Sequence, residues 1–223
     1  MSSRQEEKEQ RKQERLAREA AAAAAAKRKR LLQLVGGVVV AGVIIAGVAF
    51  AVTSGGGGGD SDVDNATLTA TAKEAGCVYR AFPDEGRDHS ADELTAADFK
   101  TNPPTSGTHN PNPAGEGLYV PGNEPEIANW VHTLEHGRVL FQYKPGTDAD
   151  VVAQLTTLFN EDVAGSGGAY HSVLMQNNTK MTAQVAAVAW RHSMTCAEFT
   201  PKTIDAFRMF REALIDKGPE VVP

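Results

Sequence analysis

The sequence predicts an α+β protein: a single transmembrane helix followed by a small extracytoplasmic domain with a short mixed sheet covered by helices. Three observations lead there. An uncharged run from Leu31 to Val52 is long enough to cross a bilayer. Beyond it, short apolar and β-branched runs alternate with longer segments of helical periodicity. No internal repeat links these segments, which sets aside solenoids and propellers.

Residues 1–30 hold ten Lys/Arg and five Glu, so they carry net +5 within a chain of net −6, leaving −11 on residues 31–223. The tail is rich in helix formers, including the tract Ala20 to Ala26, but has almost no apolar stripe. It reads as a basic cytoplasmic tail in contact with anionic lipid. Residues 31–52 follow, with Gln33 the one strongly polar residue. As a helix they reach about 33 Å, enough for a hydrocarbon core of about 30 Å. A cleaved signal peptide would carry a shorter apolar region nearer the start, and Ala51-Val52-Thr53-Ser54 lacks a small-x-small cleavage pattern. The run therefore reads as a retained anchor in the bilayer. Lys27-Arg28-Lys29-Arg30 abuts it on one side, whereas residues 53–65 contain three Asp and no Lys or Arg. The positive-inside rule then puts the N-terminus in the cytoplasm and the large domain outside the plasma membrane. Residues 53–65, with five consecutive glycines from Gly55 to Gly59, read as a flexible linker, and residues 66–223 as the folded domain.

Within that domain, residues 100–125 are dense in Pro, Gly and Asn and predict a long structured loop. Glu124 to His136 predicts a helix stopped by Gly137. Val139 to Tyr143 predicts a strand, and Asp148 to Asp162 an amphipathic helix capped by Thr147 or Asp148. His171 to Gln176 and Val185 to Trp190 predict two more strands. Thr203 to Lys217, carrying Ile204, Phe207, Phe210 and Leu214, predicts a last helix ended by Gly218-Pro219. Met175, Met181 and Met194 read as core residues. The two cysteines, Cys77 and Cys196, lie 119 positions apart, and outside the membrane they can form a persistent disulfide. Two unrelated thiols or a metal-binding pair are the alternatives.

All six histidines fall in the domain. His132-Thr133-Leu134-Glu135-His136 sets two imidazoles four residues apart on a helix, a spacing that lets both reach one metal ion. Ile127, Trp130, Val131 and Leu134 gather on one helical face, so His132 and His136 face away from the core, toward solvent or toward the Pro/Gly loop, with Glu135 between. That loop includes Asn102-Pro103-Pro104-Thr105-Ser106-Gly107-Thr108-His109, in which two prolines restrict the backbone before a ligand-type residue. His171 and His192 belong to no motif and read as surface or strand-end residues.

These strings carry a resemblance. Pro103 to His109, Val131 to Gly137, Trp190, Cys196 and Gly218-Pro219-Glu220 together resemble the domain-of-unknown-function 3105 family over about Ala75 to Glu220. Phe82 to His89 is similar to a further family element, which makes His89 a fourth candidate ligand. The family's usual loop has Pro where Thr108 stands. The resemblance implies a bacterial protein behind one membrane anchor and no established activity.

The expected function is an extracytoplasmic metal-binding domain in which His132, His136, His109 and His89 hold copper or zinc, since imidazole suits both. One alternative is a structural or protein-interaction domain whose His and Glu residues pin the Pro/Gly loop. Another is a zinc hydrolase that reads H-x-x-E-H as two ligands and a general base, Glu135. The small domain and the helix stop at Gly137 disfavour the enzyme. An acidic domain argues against nucleic acid as a partner, and the chain has no phosphate loop or dinucleotide fingerprint.

Overall fold

The computed structural model describes residues 63–220 and 222. The tail of residues 1–30, the span of residues 31–52 and most of the linker lie outside the described residues. Among the described residues no helix is long and apolar enough to cross a membrane.

Helix α1 (Asn65–Glu74) comes first. Composition places the end of the linker at residue 65, where this helix begins. Asp64 Oδ1 accepts from the backbone N–H groups of Ala66 (3.1 Å) and Thr67 (3.0 Å), so an acidic residue of linker-like composition is a helix cap. Strand β1 (Cys77–Ala81), the two-residue strand β2 (Gly117–Leu118), helix α2 (Ile127–Glu135) and strand β3 (Val139–Tyr143) follow. Helix α3 (Ala149–Phe159), strands β4 (Ser172–Gln176), β5 (Val185–Ala189) and β6 (His192–Cys196), and helix α4 (Pro201–Leu214) complete the order.

The six strands form one mixed sheet in the order β1-β6-β5-β3-β4-β2. β3 runs parallel to β4 and β4 to β2, while β1, β6, β5 and β3 are antiparallel neighbours. Because side chains alternate across a strand, β3 feeds two cores. Val139, Phe141 and Tyr143 join the helices α1, α3 and α4 through Leu68, Leu155, Leu158, Phe207 and Phe210. Leu140, with Val173, Met175, Ala186 and Val188, joins α2 through Trp130, Val131 and Leu134. Covering both faces explains why β5 reads Val-Ala-Ala-Val-Ala with no polar residue. The three methionines are buried as expected: Met175 and Met181 on the α2 side, Met194 on the other.

Besides the two-residue β2, two five-residue strands are absent from the sequence reading, β1 and β6. They are antiparallel partners in which Cys77 lies opposite Cys196, and the two are joined by a disulfide with Cα atoms 4.2 Å apart. α4 starts at Pro201, two residues earlier than its periodicity suggests, because proline suits the first helical turn, where its missing N–H costs nothing.

The chain end packs against the end of α2. Gly137 stops α2 with φ +82°, and the segment after α4 crosses it: the Asp216 amide donates to the Gly137 carbonyl (2.8 Å) and the Glu220 amide to the Glu135 carbonyl (3.1 Å). A Cβ on Gly218 would lie 2.1 Å from the Glu135 carbonyl oxygen and 2.2 Å from the Gly137 nitrogen. Neither is the movable end of a side chain, so Gly218→Ala should destabilise the domain by about 3 kcal/mol. Thermal unfolding followed by circular dichroism should show a fall of roughly 6–12 °C for a chain of this size.

Candidate metal centre

The 35 residues between β1 and β2 fold onto the α2 face of the sheet. Two stretches of this loop lie side by side: the Gly107 amide donates to the Gly86 carbonyl (3.2 Å), the His109 amide to the Asp88 carbonyl (3.0 Å) and the Ser90 amide to the His109 carbonyl (2.8 Å). His89 and His109 are thereby paired in a short parallel bridge. Gly107 makes the approach possible. It has φ +122°, and a Cβ there would press on the Phe99 ring at 3.2 Å. The loop is then fastened to α2. The Asn129 amide side chain donates to the Asn112 carbonyl (2.7 Å) and the Thr133 hydroxyl to the Ala114 carbonyl (3.0 Å). At the other end Asn102 and Thr179 exchange hydrogen bonds, and the Arg191 amide donates to the Thr105 carbonyl (2.8 Å).

This packing brings His89, His109, His132 and Glu135 together, their ligand-type atoms all within 4.8 Å of one another. The rings of His89, His109 and His132 form a near-equilateral triangle with centroids 4.8, 4.8 and 4.9 Å apart. Of the two environments the sequence left open for the helix face bearing His132, the loop is the one found. His109 is 0 % exposed and His132 5 %, whereas the side chain of His89 is 46 % exposed and forms the open side. Trp190 meets the His109 ring edge-on at 6.0 Å. His136 stands apart. It caps α2, and its Nε2 faces Glu220 Oε2 at 3.5 Å, so that His132, His136 and Glu220 make a second group of converging donors.

Backbone carbonyls set the orientation of two rings. His132 Nδ1 donates to the Asn110 carbonyl (2.6 Å) and His109 Nδ1 to the Gly107 carbonyl (2.7 Å). A carbonyl can only accept, so both rings carry their proton on Nδ1 and keep the lone pair on Nε2, which in His109 faces Glu135. Burial pushes His109 below its ordinary value of 6.5, opposed by the Gly107 carbonyl and the Glu135 carboxylate, which favours the neutral ring. In that form Nε2 is a bare lone pair, yet it lies 2.9 Å from Glu135 Oε2. Two acceptors at that distance require a proton or a metal cation between or beside them. His136 is also pushed down, first by burial and then by His132, with Glu220 pulling the other way.

A histidine whose value is lowered on folding binds more protons unfolded than folded between its two values. The stability contributed by His109 and His136 is therefore complete above about 6.5 and is lost progressively as the pH falls below it. Urea unfolding of the metal-free chain should give a lower midpoint at pH 5 than at pH 7.5, and the difference should shrink in a His109→Gln chain.

Glu220 is the residue that sequence reasoning missed as a donor. Its one signal is its place in Gly218-Pro219-Glu220, where two residues that shape the backbone precede a carboxylate. The motif alone offers Glu135 only as a general base, whereas its carboxylate converges with the three imidazoles. Of the two histidines read as surface or strand-end residues, His171 stacks on Tyr170 and pairs with Asp216. His192 does begin a strand but is buried, with its Nδ1 2.8 Å from the Tyr79 hydroxyl. Neither joins the cluster. A cavity of about 520 Å³ lined by Glu93, Leu94, Ile127, Thr179 and Lys180 lies near the start of α2, whereas His132 and His136 lie near its end.

Residues 90–221 match the family model described as Protein of unknown function (DUF3105). The chain belongs to this family. The match includes His109, His132, Glu135, His136 and Glu220; His89 and Cys77 precede it, so it begins later than the resemblance over about Ala75 to Glu220. No curated protein and no solved structure matches the chain.

Proposed function

We propose that this member of the domain-of-unknown-function 3105 family is a single-pass protein of the plasma membrane whose outer domain binds one divalent metal ion, zinc or copper(II), through His89, His109, His132 and Glu135. The observation that carries the metal reading is the convergence of ligand-type atoms from His89, His109, His132 and Glu135 within 4.8 Å of one another, with His109 Nε2 2.9 Å from a Glu135 carboxylate oxygen. Three imidazole nitrogens and one carboxylate oxygen suit either ion. Both cysteines are held in a disulfide, so no thiolate is available to favour copper(I). Donors around a tetrahedral zinc lie about 3.3 Å apart, a little closer than the 4.8 Å envelope found here. The exposed ring of His89 has the most freedom to close that gap. The anchor rests on the apolar run of residues 31–52 and its basic flank, and the disulfide suits an extracytoplasmic domain.

A second reading has its own observation. The bonds from His132 to Asn110 and from Thr133 to Ala114 tie the loop to α2 without any metal, and a proton shared by His109 and Glu135 would complete a structural pin. The hydrolase is supported less. Glu135 Oε2 sits among the imidazoles as a donor, where a general base must stand back from the ion to take a proton from bound water.

Metal content of the full-length chain, purified in detergent without chelator or histidine tag, tests the proposal together with Glu135→Gln. The amide can donate to the bare His109 Nε2, so the apo fold should stay within about 1 kcal/mol of wild type. Zinc affinity should fall roughly ten- to a hundredfold, because an anionic ligand is replaced by a weak neutral one. Near-stoichiometric zinc or copper in the wild type with that loss supports the metal centre. No metal after incubation with either ion leaves the structural pin.

A further inference from the structure

We propose that His136 and Glu220 form a second, peripheral ion position that shares His132 with the buried one, so that an ion passes between the two and the chain never holds both at once. This rests on the metal reading above. Three observations carry it. His132, His136 and Glu220 bring ligand-type atoms within 4.8 Å of one another, the same convergence found for His89, His109, His132 and Glu135, and His132 is common to both groups. The His132 and His136 rings are edge to face with centroids 4.5 Å apart, so the two positions adjoin. His132 has one nitrogen to give: Nδ1 donates to the Asn110 carbonyl, which leaves the lone pair on Nε2. A single lone pair binds one ion at a time, which makes occupancy of the two positions mutually exclusive.

The two positions differ in access. Glu220 is 53 % exposed and His136 is partly so, while His109 and Glu135 are buried. A hydrated cation meets the Glu220 carboxylate without displacing any packed side chain, and it sheds water as His136 and then His132 replace it. His132 can then hand the ion to His109 and Glu135 by exchanging one partner set for the other around a fixed nitrogen. The chain end is held for this task. The Glu220 amide donates to the carbonyl of Glu135, so one residue fastens the peripheral carboxylate through its backbone and offers the buried site its side chain. Arg138 adds to the fastening, donating to the carbonyls of His136 and Val222 at 2.7 Å each.

The test is stopped-flow mixing of copper(II) with the full-length chain in detergent, read by quenching of tryptophan fluorescence, since Trp190 lies against His109. Equilibrium titration supplies the affinity and the number of ions. The variants are Glu220→Gln and His136→Gln. Both residues sit at the surface end of the site, and folding is checked by circular dichroism. A position on the path lowers the barrier in both directions. Association and dissociation should therefore slow together, by about tenfold for loss of the peripheral charge, while the equilibrium affinity stays within about twofold and stoichiometry stays at one. Two ions per wild-type chain would overturn the proposal. So would a weakened affinity with unchanged association, which would make His136 and Glu220 ligands of the resting ion. Unchanged rates in both variants would mean that the ion passes His89 instead, and would leave the buried centre standing. Absence of copper binding by the wild type overturns this inference together with the reading beneath it.

Discussion

A Cys77→Ala/Cys196→Ala chain should unfold roughly 8–20 °C below the wild type. The disulfide joins residues 119 positions apart, and closing a loop of that length removes enough unfolded-chain entropy to stabilise the native state by about 4–5 kcal/mol in the chain-entropy model. The effect is concentrated at one place in the fold. Among the described residues β1 is an edge strand paired with β6, and the bond fixes their register at Cys77 and Cys196. β1 also leads into the loop that carries His89, so loosening it frees one ligand as well as the sheet edge. Thermal melts of the variant and of the reduced wild type should agree with each other. A fall of less than about 5 °C would mean that the reduced chain is already compact enough to hold the two strands together, as residual denatured-state structure does elsewhere.

Replacing His109 and His132 together by Ala should abolish measurable binding of zinc and copper(II) by the full-length chain. The pair supplies two of the converging ligand-type atoms, on rings whose Nδ1 is held by a backbone carbonyl. Loss of a partner that merely orients a ligand costs about ten- to a hundredfold in affinity, and two ligands are removed here. The fold also weakens, because the bonds from the two rings to the Gly107 and Asn110 carbonyls, the second of which ties the loop to α2, are lost. His89→Ala separates the two effects. Its ring is half-exposed, so the apo melt should barely move while metal affinity falls by at least about tenfold. Full retention of metal by the double variant would move the site elsewhere in the molecule.

Much of the fold is legible because it is written in local periodicity. β3, β4 and β5 are runs buried on both faces, and α2, α3 and α4 each have one apolar stripe, so their neighbours in sequence suffice to identify them. β1 and β6 are not legible, since Cys-Val-Tyr-Arg-Ala and His-Ser-Met-Thr-Cys show no pattern until each is laid against the other. The same distinction separates Asp64, whose capping role is local but disguised by linker-like surroundings, from Arg211. That arginine is buried beneath α3 and donates to the Leu158 carbonyl, which no spacing within α4 announces.

The site divides in the same way. Local sequence dictates that His132 and His136 leave the apolar stripe of their helix, that Gly137 ends it, and that a stiff Pro/Gly loop delivers His109. These are consequences of a 3.6-residue turn and of the restricted backbones of proline and glycine. Which donors meet is settled by tertiary packing alone. It sets Glu135 with His89, His109 and His132, and sets His136 with Glu220 from the far end of the chain. That pairing depends on the loop crossing α2 and on the backbones of Gly137 and Gly218 lying against each other. Contacts of that kind bring together residues 26 to 84 positions apart, and no local pattern encodes the distance between them.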